Sequence, residues 1–199
     1  NKNRGLEYLR DYGLQWAGTS MPNRNDKNVS AITDDIIEFI EENRDGPFIA
    51  YAAHRSPHTP LEVPPSSVQR VVDRGFKRSS NRRGLHSERV TADYVAMIEY
   101  LDSSIGRITD KLDELGIAEN TFLLFLSDNG GLTRVWKNDP LRGGKGQLYE
   151  GGVRVPFIVR WPTKVTAGST CTTPVHVVDL LPTFMDLAGA QPRKNQILD

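Results

Sequence analysis

Apolar positions along this chain follow two alternating periods, and the alternation predicts the fold. Ile32, Ile36, Ile37, Phe39 and Ile40 recur at helical spacing, with Asp34, Asp35, Glu38, Glu41 and Glu42 on the other face. Ser30 is the candidate N-cap, and Gly46-Pro47 stops the helix. Phe48-Ile49-Ala50-Tyr51-Ala52-Ala53 is then a short uncharged run, the signature of a strand buried on both faces. It leads into His54-Arg55-Ser56-Pro57-His58-Thr59-Pro60, where two prolines exclude a continuing helix or central strand and leave a rigid loop. Val90, Tyr94, Met97, Leu101, Ile105, Ile108, Leu112 and Leu115 carry the longest helical period, over Glu88 to Leu115, and Gly116 is a fitting stop. Thr121-Phe122-Leu123-Leu124-Phe125-Leu126 is a second buried strand. Val155 to Trp161 is a third, with Pro156 near its start. Val178 to Ala188 reads as a helix, with Asp179 and Pro182 in its first turn and Gly189 beyond its end.

The remaining segments are irregular. Residues 1–28 are polar, with one short helix predicted around Leu6–Tyr12. Ser66 to Ser87 sets Arg70, Arg74, Lys77, Arg78, Arg82 and Arg83 against Asp73 alone. That run has two readings, a solvated face or a rim that attracts an anionic substrate. Strands alternating with helices give an α/β class with a mainly parallel sheet sandwiched by helices. Crossover handedness then puts the ends of the first two strands on one edge, so that His54–His58 and Asp128-Asn129 face one crevice.

That crevice holds the candidate chemistry. Ser127-Asp128-Asn129-Gly130-Gly131 follows the second strand directly. A carboxylate and an amide oxygen there suit a hard divalent cation, although the same residues are good turn formers. Two oxygens are too few for such a cation, which takes about six ligands. Lys145 lies in Arg142-Gly143-Gly144-Lys145-Gly146, where the flanking glycines let an ammonium approach a ligand closely; its other reading is a surface lysine. His58 is held rigidly between prolines and can change protonation near neutral pH; its other reading is a loop histidine capping backbone groups. His54 either binds substrate or packs at the strand end, and Arg55 offers fixed positive charge. The set suits a tetrahedral oxyanion: cations neutralise developing charge and a histidine handles the leaving-group proton. His86 and His176 read as structural or surface residues. Neither a Gly-x-Ser-x-Gly elbow nor a Walker phosphate loop is present.

Composition narrows the function further. Lys plus Arg is 25 and Asp plus Glu is 25, a zero formal charge that argues against a general nucleic-acid binder. No apolar run approaches the ~20 residues of a membrane span. No apolar core follows Asn1-Lys2-Asn3-Arg4-Gly5, so no signal peptide is visible. Cys171 is the only cysteine, which excludes an internal disulfide and a cysteine-based zinc cluster.

Three motifs in this order resemble the type I sulfatases of the alkaline-phosphatase-like superfamily. They are Pro57-His58-Thr59-Pro60, then Leu126-Ser127-Asp128-Asn129-Gly130-Gly131, then Leu141 through Pro156 with its Arg142-Gly143-Gly144-Lys145-Gly146 core. The helix Asp102–Arg107 and the segment Val178-Asp179-Leu180-Leu181-Pro182-Thr183 are similar to the family's flanking helices. The resemblance implies a calcium or magnesium ion with Asp128 and Asn129 among its ligands. It implies Lys145 on the sulfate and its bridging oxygen, and His58 near the leaving-group oxygen. Arg55 and His54 are the substrate-side candidates. The family's formylglycine arises in a Cys/Ser-x-Pro-x-Arg motif, which this sequence lacks; Cys171 in Ser169-Thr170-Cys171-Thr172-Thr173-Pro174 does not fit it. Residues 1–199 therefore read as one incomplete domain, the central to C-terminal part of a sulfatase catalytic domain, inactive alone. The implied activity is metal-dependent sulfuric ester hydrolysis in a longer protein, on a sulfate ester such as a sulfated glycan, in a periplasmic, secreted or lysosomal setting. The alternatives are a phosphate or phosphonate monoester hydrolase of the same superfamily and a non-catalytic anion-binding or interaction module.

Overall fold

The computed structural model describes residues 26–81 and 90–191. The helix expected around Leu6–Tyr12, together with Arg82, Arg83 and His86, lies outside the described residues. The helices are α1 (Val29–Asn43), α2 (Pro65–Asp73), α3 (Ala92–Glu114), α4 (Glu150–Val153) and α5 (Leu180–Leu187). The strands are β1 (Leu123–Leu126) and β2 (Phe157–Arg160), and single 3-10 turns occupy Ala118–Asn120 and Val177–Asp179. The chain divides into a larger unit that ends at Val165 and a smaller one that starts at Thr166.

The two long helices form the scaffold of the larger unit. Ile36 and Ile40 of α1 bury against Ile108 and Leu112 of α3, with Ala118 closing the cluster. On the flanks of this seam, Lys111 bridges Glu41 at 2.8 Å and Glu114 at 2.7 Å, and Arg107 pairs with Asp34. Ser30 is not the N-cap of α1. That position is Asn28, and the carboxylate of Asp26, two residues before the cap, accepts from the backbone N–H groups of Asn28 at 3.0 Å and Ser30 at 3.2 Å and from the Ser30 hydroxyl. A longer carboxylate outside the helix reaches the free donors that Ser30, already within the first turn, cannot. At the far end of α3, Gly116 adopts φ +69°. Its N–H bonds the Asp113 carbonyl while that of Ile117 bonds the Leu112 carbonyl, the paired closure a left-handed glycine permits.

Part of the basic run proves to be helix. Pro65 starts α2, whose Val68 and Val71 are buried against Ala92 and Ala96 of α3. Arg74 pairs with Glu99 at 2.6 Å and Arg78 with Asp93 at 3.1 Å, so both cations hold α2 and its exit to α3.

The sheet departs from the expected arrangement. Among the described residues it has two strands, and β1 runs antiparallel to β2, with Leu123 opposite Arg160 and Leu126 opposite Phe157. A parallel pair needs a crossover, usually a long helix. Residues 127–156 provide only loop and the single turn of α4, and return the chain alongside β1. Phe48–Ala53 is extended but pairs with no strand among the described residues. Phe48 and Ala52 pack on the α1–α3 cluster, whereas Ile49 and Tyr51 are exposed. With no neighbour among the described residues to take its backbone groups, the run is extended chain there rather than strand. Arg160 reaches Asp113 at 2.8 Å, and Trp161 donates its indole N–H to the Glu119 carbonyl at 3.0 Å, which fixes β2 against the end of α3.

In the smaller unit, His176 caps the turn that leads into α5. Its Nδ1 accepts from Val178 N–H at 3.3 Å, and its own N–H donates to the Asp179 carboxylate at 2.7 Å.

Leu112 is 1% exposed at the centre of the α1–α3 seam. Leu112→Ala should cost about 2–5 kcal/mol of stability, read as a lower denaturant midpoint of the full-length protein. A loss below about 0.5 kcal/mol would show that the seam is not tightly packed.

Candidate active site

The turn after β1 is built by its own side chains. Ser127 donates its hydroxyl to the Asn129 carbonyl at 2.9 Å. Asn129 turns its Nδ2 onto the Gly130 carbonyl at 3.0 Å, and no donor reaches its Oδ1 among the described residues. The Asp128 carboxylate beside it is exposed.

This turn is locked to the loop that carries Lys145. Gly130 N–H donates to the Gly152 carbonyl at 2.9 Å, and Lys145 N–H donates to the Gly131 carbonyl at 3.0 Å. Within the loop, Gly151 N–H reaches the Arg142 carbonyl at 2.8 Å, and Gly144 N–H reaches the Gln147 side-chain oxygen at 3.0 Å. Backbone lies directly on backbone. A Cβ on Gly130 would collide with the Gly151 carbonyl, one on Gly152 with the Gln147 carbonyl, and one on Gly144 would stand 2.5 Å from the Gly131 carbonyl. Asn138 donates its Nδ2 to the carbonyls of Gly131 and Gly143, both at 2.9 Å, with that of Gly151 at 3.4 Å. Arg142 stacks on the Tyr149 ring at 3.8 Å and bonds its hydroxyl at 2.9 Å. The Lys145 side chain projects from this framework exposed.

The histidine loop is held separately. His58 N–H donates to the Arg55 carbonyl at 2.9 Å, and His58 Nδ1 lies 2.5 Å from the Thr59 carbonyl. A carbonyl partner makes Nδ1 the donor and leaves Nε2 to face outward chemistry. Both ring nitrogens of His54 are buried without a hydrogen-bond partner among the described residues, and burial pushes its pKa below the ordinary histidine value. Arg55 is exposed and lies within electrostatic range of Lys27, which is itself 4.0 Å from Glu62.

Asp128, Asn129 and the Lys145 backbone are thus brought together directly. Among the described residues no hydrogen bond or ion pair joins His54, Arg55 or His58 to them; the common support is the α1–α3 cluster, which carries both Ala52 and Leu123. Nor do three His, Cys, Asp or Glu side chains converge on one point among the described residues. Asp128 and Asn129 suit a hard cation by the chemistry of their oxygens and supply two of about six ligands. Asn138 escapes sequence reasoning because its acceptors are backbone carbonyls on three separate stretches of chain, which no residue type marks. The density of glycines around it, at 130, 131, 143, 144, 151 and 152, is the signal that something packs there.

The family model described as Sulfatase matches residues 1–190. The chain belongs to the sulfatase family. A protein named Sulfatase from Formosa agariphila is 37% identical over 174 residues, covering 82% of this chain and 30% of its own length. The steryl-sulfatase of Mus musculus is 33% identical over 177 residues, covering 84% of this chain and 26% of its own. A crystal structure of Ps i-CgsB in complex with k-i-k-neocarrahexaose superposes with a TM-score of 0.76 at 29% identity, over 98% of this chain and 43% of that one. This sulfatase-family chain therefore spans less than a third of the length of these two curated relatives.

Burial lowers the folded-state pKa of His54 below 6.5. As pH falls through about 6.5 the unfolded chain binds the proton first, so stability is full above that pH and declines below it. In the full-length protein, His54→Gln should flatten the fall in thermal midpoint between about pH 7.5 and pH 5.5. An unchanged slope would show that His54 is not held neutral by burial.

Proposed function

We propose that this chain carries part of the active site of a sulfuric ester hydrolase whose full length includes further site residues. The supporting observation is the backbone closure between the turn that carries Asp128 and Asn129 and the loop that carries Lys145. Asp128 and Asn129 would hold a divalent cation, calcium or magnesium, which supplies positive charge for a sulfate oxygen. Lys145 binds the sulfate and its bridging oxygen and neutralises the charge that develops as the ester bond breaks. His58, with Nδ1 turned to Thr59, presents Nε2 for proton delivery to the leaving-group oxygen. Arg55 supplies a fixed cation for an anionic substrate, and neutral His54 stands next to it as a second substrate-side group at the start of the same loop. Family membership implies a formylglycine in the full-length protein; its modification motif is not among residues 1–199.

For the substrate we infer a sulfated glycan. The support is the likeness to Ps i-CgsB, whose structure holds a neocarrahexaose. A mainly parallel sheet in the full-length protein and a periplasmic, secreted or lysosomal location belong to the same family-based reading.

Full-length protein should hydrolyse nitrophenyl sulfate in preference to nitrophenyl phosphate and lose activity with chelator. Lys145→Ala and Asp128→Ala should each lower kcat/KM by about 10²–10³-fold. Unchanged activity in either variant would sink the site assignment, and a preference for the phosphate ester would sink the sulfatase reading.

A further inference from the structure

We propose that Asn138 is a positioning residue: its side-chain amide sets the Lys145 loop against the Asp128-Asn129 turn. Its Nδ2 reaches three carbonyls on three separate stretches of chain. Gly131 follows β1, Gly143 precedes Lys145, and Gly151 lies in α4. An amide nitrogen has two hydrogens, so the 2.9 Å bonds to Gly131 and Gly143 use both and the 3.4 Å contact to Gly151 is secondary. Converging carbonyl dipoles repel one another, and a donor at their centre converts that repulsion into attraction.

The cradle is shaped for this side chain. A Cβ on Gly131 would collide with Asn138 Oδ1, and one on Gly144 would stand 2.7 Å from Asn138 Nδ2. The coupling to Lys145 is close, because the Lys145 N–H and the Asn138 amide share one acceptor, the Gly131 carbonyl. Loss of the Asn138 donor loosens Gly143, two residues before Lys145, and Gly131, which accepts the Lys145 N–H, and so displaces the ammonium. A displacement of about 1 Å at a reacting group can cost ~10²-fold in rate.

What Lys145 does rests on the sulfatase reading; how its loop is held does not. The test therefore uses full-length protein with Asn138→Ala and with Asn138→Asp, which keeps the size but has no N–H to donate. Two quantities are measured. One is kcat/KM on nitrophenyl sulfate, in the wild-type and the Lys145→Ala backgrounds. The other is deuterium uptake across residues 142–149 and across α3. Either Asn138 substitution should lower kcat/KM by roughly 10–100-fold when Lys145 is present and by less than about twofold in the Lys145→Ala background. Uptake across 142–149 should rise while α3 stays protected. Equal falls in both backgrounds, unchanged uptake across 142–149, or loss of α3 protection would each overturn the proposal. Absence of sulfate-ester hydrolysis in the wild type would overturn the functional reading alone, because deuterium uptake still decides the role of Asn138.

Discussion

The bonds from Gly130 N–H to the Gly152 carbonyl and from Lys145 N–H to the Gly131 carbonyl bring two distant pieces of this chain to one place. Everything proposed for the site depends on that closure. A carboxylate and an amide oxygen on one turn are ordinary turn chemistry. Beside a lysine fixed through its own backbone, they become a rim on which negative charge can be received. The approach is so close that backbone lies on backbone, which is why glycine stands at 130, 144, 151 and 152. The turn and the loop therefore act as a single rigid unit from which Asp128 and Lys145 project into solvent.

This unit is carried by the helical layer. The α1–α3 cluster supports Leu123 at the start of β1, and Arg160 ties β2 to Asp113 near the end of α3. The same cluster supports Phe48 and Ala52, and so the root of the histidine loop. Packing energy from the two long helices thus positions the two chemical segments on a shared base. The chemistry itself sits on exposed loops, where catalytic groups can meet a substrate.

How much of this was legible depended on how local each cause is. Helices α1 and α3 were readable from period alone, and the Gly116 stop was readable because a left-handed closing residue favours glycine. Asp128, Asn129 and Lys145 stood out as chemistry bracketed by glycine. What failed was non-local. Phe48–Ala53 has the composition of a strand, but a strand exists only through its partners, and none pairs with it among the described residues. Helix α2 was hidden by the basic run that it opens, although Pro65 and the spacing of Val68 and Val71 mark it. Asn138 was invisible because its role lies in carbonyls contributed by three separate stretches of the chain.

The central claim is that the Asp128-Asn129 turn and the Lys145 loop form one rim that takes a cation and a sulfate together. A crystal structure of the full-length protein, grown with calcium and inorganic sulfate and phased to locate the cation by anomalous scattering, tests it directly. A cation should lie about 2.3–2.6 Å from oxygens of Asp128 and Asn129, with a sulfate oxygen within hydrogen-bond distance of Lys145 Nζ. A cation bound elsewhere, or a sulfate that leaves Lys145 uncontacted, would contradict it.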